Sequence, residues 1–209
     1  MNLGQFKDKV RRLLGDIDGI LLTDDFLADW VYEGQLDLVK RTECLHATTT
    51  WTALVTTQGY ALPSNFLYAK RVTLGGVVLK EANMADVDIL TGAVDETGFT
   101  FPGAGGMYYL WNSKIYIAAT TVTDPDLIMH YIKAPTELST DQTDIDIPRY
   151  MHDDLITYVV AKSRELLDEM DESRQADAKY NREVTESAAT ANWQNSSSYP
   201  SVRLMYGDY

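Results

Sequence analysis

The stretch Leu127-Ile128-Met129-His130-Tyr131-Ile132, closed by Pro135, is β-like, and the chain beyond it is not. Residues 136–147 form an acidic, polar connection ending at Pro148, a residue suited to the first turn of a helix. Beyond it Met151, Leu155, Tyr158, Val159, Leu166 and Met170 recur at helical spacing. The change marks the exit from a β region into a helical one.

Upstream, from about residue 48 to Pro135, the period is two. Thr49, Thr50, Thr52, Val55, Thr56 and Thr57 are β-branched, and Gly59-Tyr60-Ala61-Leu62-Pro63 punctuates the run. Residues 69–74 and 77–79 around Gly75-Gly76 predict a tight hairpin. A second is predicted from Met107-Tyr108-Tyr109-Leu110-Trp111 and Lys114-Ile115-Tyr116-Ile117 around Asn112-Ser113. The glycine-rich run 99–106 reads as a loop. Many short strands between such signals suggest a small barrel or sandwich.

The first 46 residues are helical. Leu3, Phe6, Val10 and Leu13 mark one face of a short helix, which Gly15-Asp16-Ile17-Asp18-Gly19 breaks. Thr23 and Asp24 suit the N-cap of a second helix running to about Leu45, with Leu27, Val31, Gly34, Leu38 and Leu45 on its stripe and Trp30 beside it. A glycine inside a helix costs about 1 kcal/mol relative to alanine, so Gly34 implies close approach of a neighbouring helix. Past Met170, a second stripe of Ala176, Tyr180, Val184 and Ala188 follows the acidic stretch 168–172. That stretch is read first as a solvated part of one helix, with a turn between two as the alternative.

The expected fold is therefore α+β: a helical bundle built from the N- and C-terminal segments (1–47 and 136–190) with an inserted antiparallel β-barrel or sandwich (48–135). An extended C-terminal tail (191–209) completes it. The tail is Ser-rich and then apolar, and its anchors Tyr199, Val202, Arg203, Leu204, Tyr206 and Tyr209 resemble residues that fill another protein's pocket. A last strand folded back on its own sheet is the alternative.

With 209 residues and 45% hydrophobic composition, the chain needs no staples to form a core. A net charge of −13 argues against a phosphate-gripping surface, which requires clustered Lys and Arg. No stretch approaches the roughly 18–20 apolar residues of a membrane helix. The N-terminal charges do not fit a signal peptide, so a soluble product made in the cytosol is expected. The single cysteine, Cys44, excludes an intrachain disulfide framework. Cys44 with His46, His130 or His152 makes a poor nucleophile–base candidate, since a lone cysteine at a helix end is usually a small buried hydrophobe. His130 reads as a packed or edge residue, and the acids of His152-Asp153-Asp154 suit the opening of a helix. Asp141, Asp144 and Asp146 share one loop but lack the glycine and terminal glutamate of an EF-hand, so a solvated acidic loop is expected. Gly103-Ala104-Gly105-Gly106 has no lysine and no following helix, unlike a phosphate loop. No enzyme, metal or cofactor is expected.

One pattern carries a family resemblance. Tyr131-Ile132-Lys133-Ala134-Pro135, the acidic connection, and Ile147-Pro148-Arg149-Tyr150-Met151-His152-Asp153-Asp154-Leu155 resemble the head-to-tail adaptors of tailed bacteriophages. The next helix, with Tyr158, Ala161 and Leu166, and upstream Leu62-Pro63 and Val72-Thr73-Leu74-Gly75-Gly76-Val77-Val78-Leu79, extend the likeness over nearly the whole chain. The resemblance implies a homo-oligomeric ring of about 12 copies under the portal protein, with heterologous contacts. It also implies contacts to tail nozzle or fibre proteins, and passage of DNA through the lumen without sequence-specific binding. The expected location is the head–tail junction of the virion, after assembly in the host cytoplasm. Acids such as Asp168, Asp171 and Glu172 are expected near the lumen, where a negative wall keeps DNA from adhering. Two alternatives carry less. A glycan- or receptor-binding β module on a helical stalk would use Tyr108, Tyr109, Trp111 and Tyr116, and a hydrolase would use scattered carboxylates.

Overall fold

A computed structural model describes residues 1–16, 18–52, 59–82, 106–118 and 126–195. The chain divides into two compact units, one made of Met1–Cys44 and the chain from Pro135 onward, the other of Leu45–Ala134.

The first unit holds four α-helices among the described residues: α1 (Leu3–Leu14), α2 (Asp24–Thr42), α3 (His152–Leu166) and α4 (Met170–Asn195). A capping box starts α1. The Asn2 side-chain oxygen accepts from the Gln5 N–H at 2.9 Å, and the Gln5 side chain accepts from the Asn2 N–H at 3.3 Å. Leu3, Phe6 and Val10 are buried, but Leu13 is 58% exposed. At 100° per residue, the step from Val10 to Leu13 carries that side chain to the margin of the buried face. The start of the chain is tied to the later connection: the N–H groups of Leu3 and Gly4 donate to the carbonyls of Thr143 and Asp141, and Ile145 N–H donates to Met1.

Leu27, Val31, Gly34 and Leu38 of α2 are buried. The helix ends at Thr42, short of Leu45, because Glu43 turns into the left-handed region at φ 54 and its N–H caps the Val39 carbonyl. Leu45 is buried outside the helix, and its carbonyl accepts from Lys133 N–H in the β unit. The close approach expected at Gly34 is to α3: a Cβ there would sit 2.5 Å from Leu155 Cδ1 and 2.7 Å from Tyr158 Cδ1.

Pro148 precedes a single 3₁₀ turn, Arg149–Met151, which leads into α3. Met151, Leu155 and Val159 are buried, whereas Leu166 and Met170 are 52% and 47% exposed. They leave the stripe because 168–172 is not a continuous helix. Asp168 has φ 64, and its N–H and that of Glu169 close the turn onto Glu165 and Arg164. Aspartate tolerates this conformation better than most residues. Asp171 and Glu172 then fall in the first turn of α4, where the helix dipole favours acids. On α4, Tyr180 and Val184 are buried and Ala176 and Ala188 half-buried, and Ser173, Ser187 and Ala191 join them. The helix continues through Asn195, into the stretch assigned to the tail.

Among the described residues the second unit forms a seven-stranded sheet: β1 (His46–Thr52), β2 (Tyr60–Ala61), β3 (Phe66–Leu74), β4 (Val77–Glu81), β5 (Met107–Trp111), β6 (Lys114–Ala118) and β7 (Asp126–Lys133). Its order is β1-β7-β3-β4-β5-β6-β2. Both expected hairpins form. Gly75 and Gly76 turn the first at φ 54 and 79, and Asn112 and Ser113 turn the second at φ 47 and 56. The pairs are antiparallel except β4–β5, which is parallel, so the sheet is mixed. Trp51 and Tyr60, on the two outermost strands, bring their rings within 6.2 Å, so the sheet curls into a nearly closed barrel. Val72, Leu74, Leu79, Tyr108, Ile115, Leu127, Met129 and Tyr131 fill it. The α+β class with helices at both ends and a barrel-like insert is as the sequence implies. Val55, Thr56, Thr57, most of the expected loop 99–106 and the tail from 196 lie outside the described residues.

Gly34→Ala gains helix propensity but drives a methyl group into Leu155 and Tyr158. Overpacking of this kind costs about 1–3 kcal/mol, which outweighs a propensity gain of about 1 kcal/mol. Urea unfolding of the variant should show a lower midpoint with an unchanged slope.

Candidate interaction surfaces

Between α1 and α2 the chain makes a loop whose backbone is held by one carboxylate. Asp16 is buried, and its oxygens accept from the N–H groups of Ile20 (3.0 Å), Leu21 (3.1 Å) and Leu22 (3.0 Å). Burial pushes this carboxyl up, but those donors and Arg11 outweigh it and hold it below the usual range. The Arg11 guanidinium closes the other side, donating to the Leu22 carbonyl at 3.1 Å and to Asp24 at 2.6 Å. Gly19, at φ 66, passes so close to it that a Cβ would lie 2.9 Å from Arg11 Cζ. Leu22 is fully buried as the loop's anchor, while Ile20 is 81% and Leu21 58% exposed. Phe26, exposed on α2, stacks on Trp30 with ring centroids 5.8 Å apart. The result is a fixed loop that presents aliphatic side chains to solvent. In the sequence, the available sign was two aliphatics, Ile20 and Leu21, that belong to neither neighbouring stripe.

The α3–α4 turn displays Leu166 and Met170 among charges. Arg164 pairs with Glu172 at 2.5 Å and Arg174 with Asp171 at 3.8 Å. Between the two helices, buried Asp154 accepts from Ser187 Oγ at 2.5 Å. Burial pushes its carboxyl up; the Ser187 hydroxyl opposes the shift, and Glu183 and Asp153 add to it. Tyr180 donates to Asp37 at 2.7 Å beneath the Arg41 guanidinium.

The aromatic hairpin splits between its two faces. Tyr108 is a core residue, not part of any exposed cluster; burial and then Glu81 push its phenol up to about 12. On the other face Tyr109 and Tyr116 stack at 4.9 Å, and Trp111 is 56% exposed.

Of the residues considered for catalysis, His152, His130 and Cys44 are engaged elsewhere, and His46 stands exposed at the start of β1. His152 Nε2 lies 3.1 Å from the Ile147 carbonyl, and burial lowers its pKa. His130 is exposed on an interior strand, neither packed nor at an edge, with Nδ1 2.9 Å from Thr48 Oγ1. Half-buried Cys44 has its thiol pushed up by burial, the opposite of nucleophile activation. Asp141 pairs with Lys7 at 2.8 Å, Asp146 accepts from Thr136 N–H at 2.7 Å, and Asp144 bridges to Asn2 through the backbone. Among the described residues, no group of three or more His, Cys, Asp or Glu is placed to hold a metal ion, and no helix is long and apolar enough to cross a membrane.

Two measurements check these assignments. Asp16→Asn should speed hydrogen exchange at the Ile20, Leu21 and Leu22 amides while the α3 amides stay protected; uniform exchange would mean the carboxylate does not hold the loop. A carboxyl with a raised folded-state pKa binds its proton more tightly when folded, so its contribution is fully present at acid pH and is lost as pH rises through that value. Asp154→Asn should therefore be more stable than wild type near pH ~7, the gap closing toward pH ~4.

The tail anchors Tyr199, Val202, Arg203, Leu204, Tyr206 and Tyr209 lie outside the described residues. No curated protein matches the chain. A family model described as SU10 adaptor protein matches residues 1–203, which span both units. The chain belongs to the SU10 adaptor protein family, structural adaptors of phage virions and not a class of enzymes.

Proposed function

We propose that this protein joins the portal to the tail as a ring that continues the DNA channel. The observation that carries the reading is the family match, which runs through both the helical unit and the β insert. The helical unit packs side by side around the channel and meets the portal; the β unit faces the tail nozzle or fibres. About 12 copies would close the ring. The charge of −13 suits a conduit, because a negative wall repels phosphates within about 10 Å at 0.1 M salt. Exposed Asp171 and its neighbours Asp168 and Glu172 face the lumen in this reading. The tail beyond α4 acts as a docking arm on the portal or on a neighbouring subunit, with Tyr199, Val202, Leu204, Tyr206 and Tyr209 as apolar anchors and Arg203 as the polar one. Assembly takes place in the host cytoplasm.

Light scattering of the full-length chain mixed with the cognate portal ring tests both parts. A second sample ends at Asn195, so that α4 stays whole. Incorporation of many copies, lost on truncation, is the expected result. Incorporation by the truncated chain would keep the adaptor and discard the arm. Glycan binding without portal association would instead favour a receptor module built on Trp111 and the Tyr109–Tyr116 stack.

A further inference from the structure

The charge of the molecule is not evenly laid out. Residues 13–39, from the end of α1 through most of α2, contain seven acids and no Lys or Arg. Asp25, Asp29 and Glu33 are exposed at i, i+4 and i+8, so like charges stack along one face of α2. Among the described residues none of these three has a cation partner, and beside them stand Phe26, Trp30, Ile20 and Leu21. In the β unit five Lys or Arg stand against seven acids, and among its described residues those five face only Glu81 and Asp126.

Strand register places part of that positive charge in one row across the outer face of the barrel. Thr48 of β1 pairs with His130 of β7, and His130 with Arg71 of β3. Val72 pairs with Leu79, so Arg71 and Lys80, one step further along each strand, extend the row onto β4. The Thr48 hydroxyl fixes the His130 ring at 2.9 Å. His130, Arg71 and Lys80 are exposed, and among the described residues neither Arg71 nor Lys80 has a carboxylate partner. Val78, 48% exposed, lies on the same face two rungs away.

We propose that this cationic row of the β unit docks on the Ile20 loop and the acidic face of α2 of a second copy of the chain. The inference rests on the ring reading above and names its subunit contact. The two surfaces differ, so the contact is heterologous and repeats around a ring. Val78 and the aliphatic pair Ile20 and Leu21 supply apolar area, and the opposed charges set partner and register. The occupant is a second copy because, among the described residues, neither surface is paired with the charge that the other carries. The Asp16-held backbone keeps the loop from having to order on binding.

The test is self-association of the full-length chain at low salt, alone and with the portal ring, by sedimentation velocity. Arg71→Glu/Lys80→Glu and Asp29→Lys/Glu33→Lys should each weaken it about tenfold or more, and the four changes in one chain should restore it. Circular dichroism melts check that each surface variant folds. An effect confined to one pair, or none from either, overturns the contact while leaving the ring intact. A wild-type chain that assembles neither alone nor with the portal overturns the ring and the contact together. Binding of double-stranded DNA lost in Arg71→Glu/Lys80→Glu, with self-association unchanged, assigns the row to nucleic acid and overturns the proposal.

Discussion

The pairing of β1 with β7 is the constraint on which the rest depends. Seven rungs, from His46↔Ile132 to Thr52↔Asp126, bind the first strand of the insert to its last, and the Lys133 N–H adds a bond to the Leu45 carbonyl. The chain therefore enters and leaves the β unit at neighbouring points. Only then can residues before Cys44 and after Pro135 combine into one helical unit, although about 90 residues separate them. The bridge between Met1–Gly4 and residues 141–145, and the contact of Gly34 with Leu155 and Tyr158, are long-range ties that this closure makes cheap in chain entropy.

Much of this was legible because the period of the apolar residues changes twice. Hairpins announced by Gly75-Gly76 and Asn112-Ser113 form where local turn chemistry puts them, since φ > 0 there is a property of a few residues. Gly34 was legible for a similar reason: its cost in a helix demands a neighbour. What escaped was set by tertiary structure. Leu166 and Met170 fit a helical stripe, yet one left-handed residue, Asp168, takes them out of it. The parallel β4–β5 pair could not be foreseen, because strand pairing across residues 83–105 leaves no local signal. Nor could the role of Asp16, whose carboxylate reads like any other acid until three N–H groups are seen to converge on it.

The distribution of order fits a part used in assembly. Charged pairs on the surface contribute little individually. The groups that hold shape are buried and directional instead: Asp16 under its loop, Asp154 with Ser187, and Tyr180 with Asp37. They fix the outlines of surfaces that carry exposed Ile20, Leu21, Phe26, Leu166 and Met170. Rigid apolar display of this kind lowers the entropy cost of association.

The central claim concerns where the protein stands in the virion, and cryo-electron microscopy of purified particles addresses it directly. Density at the head–tail junction should accommodate a closed ring of this chain between portal and tail, with a continuous channel through its centre. Finding the chain only in fibres or decorating the outside of the tail, with the portal joined directly to another protein, would contradict the account.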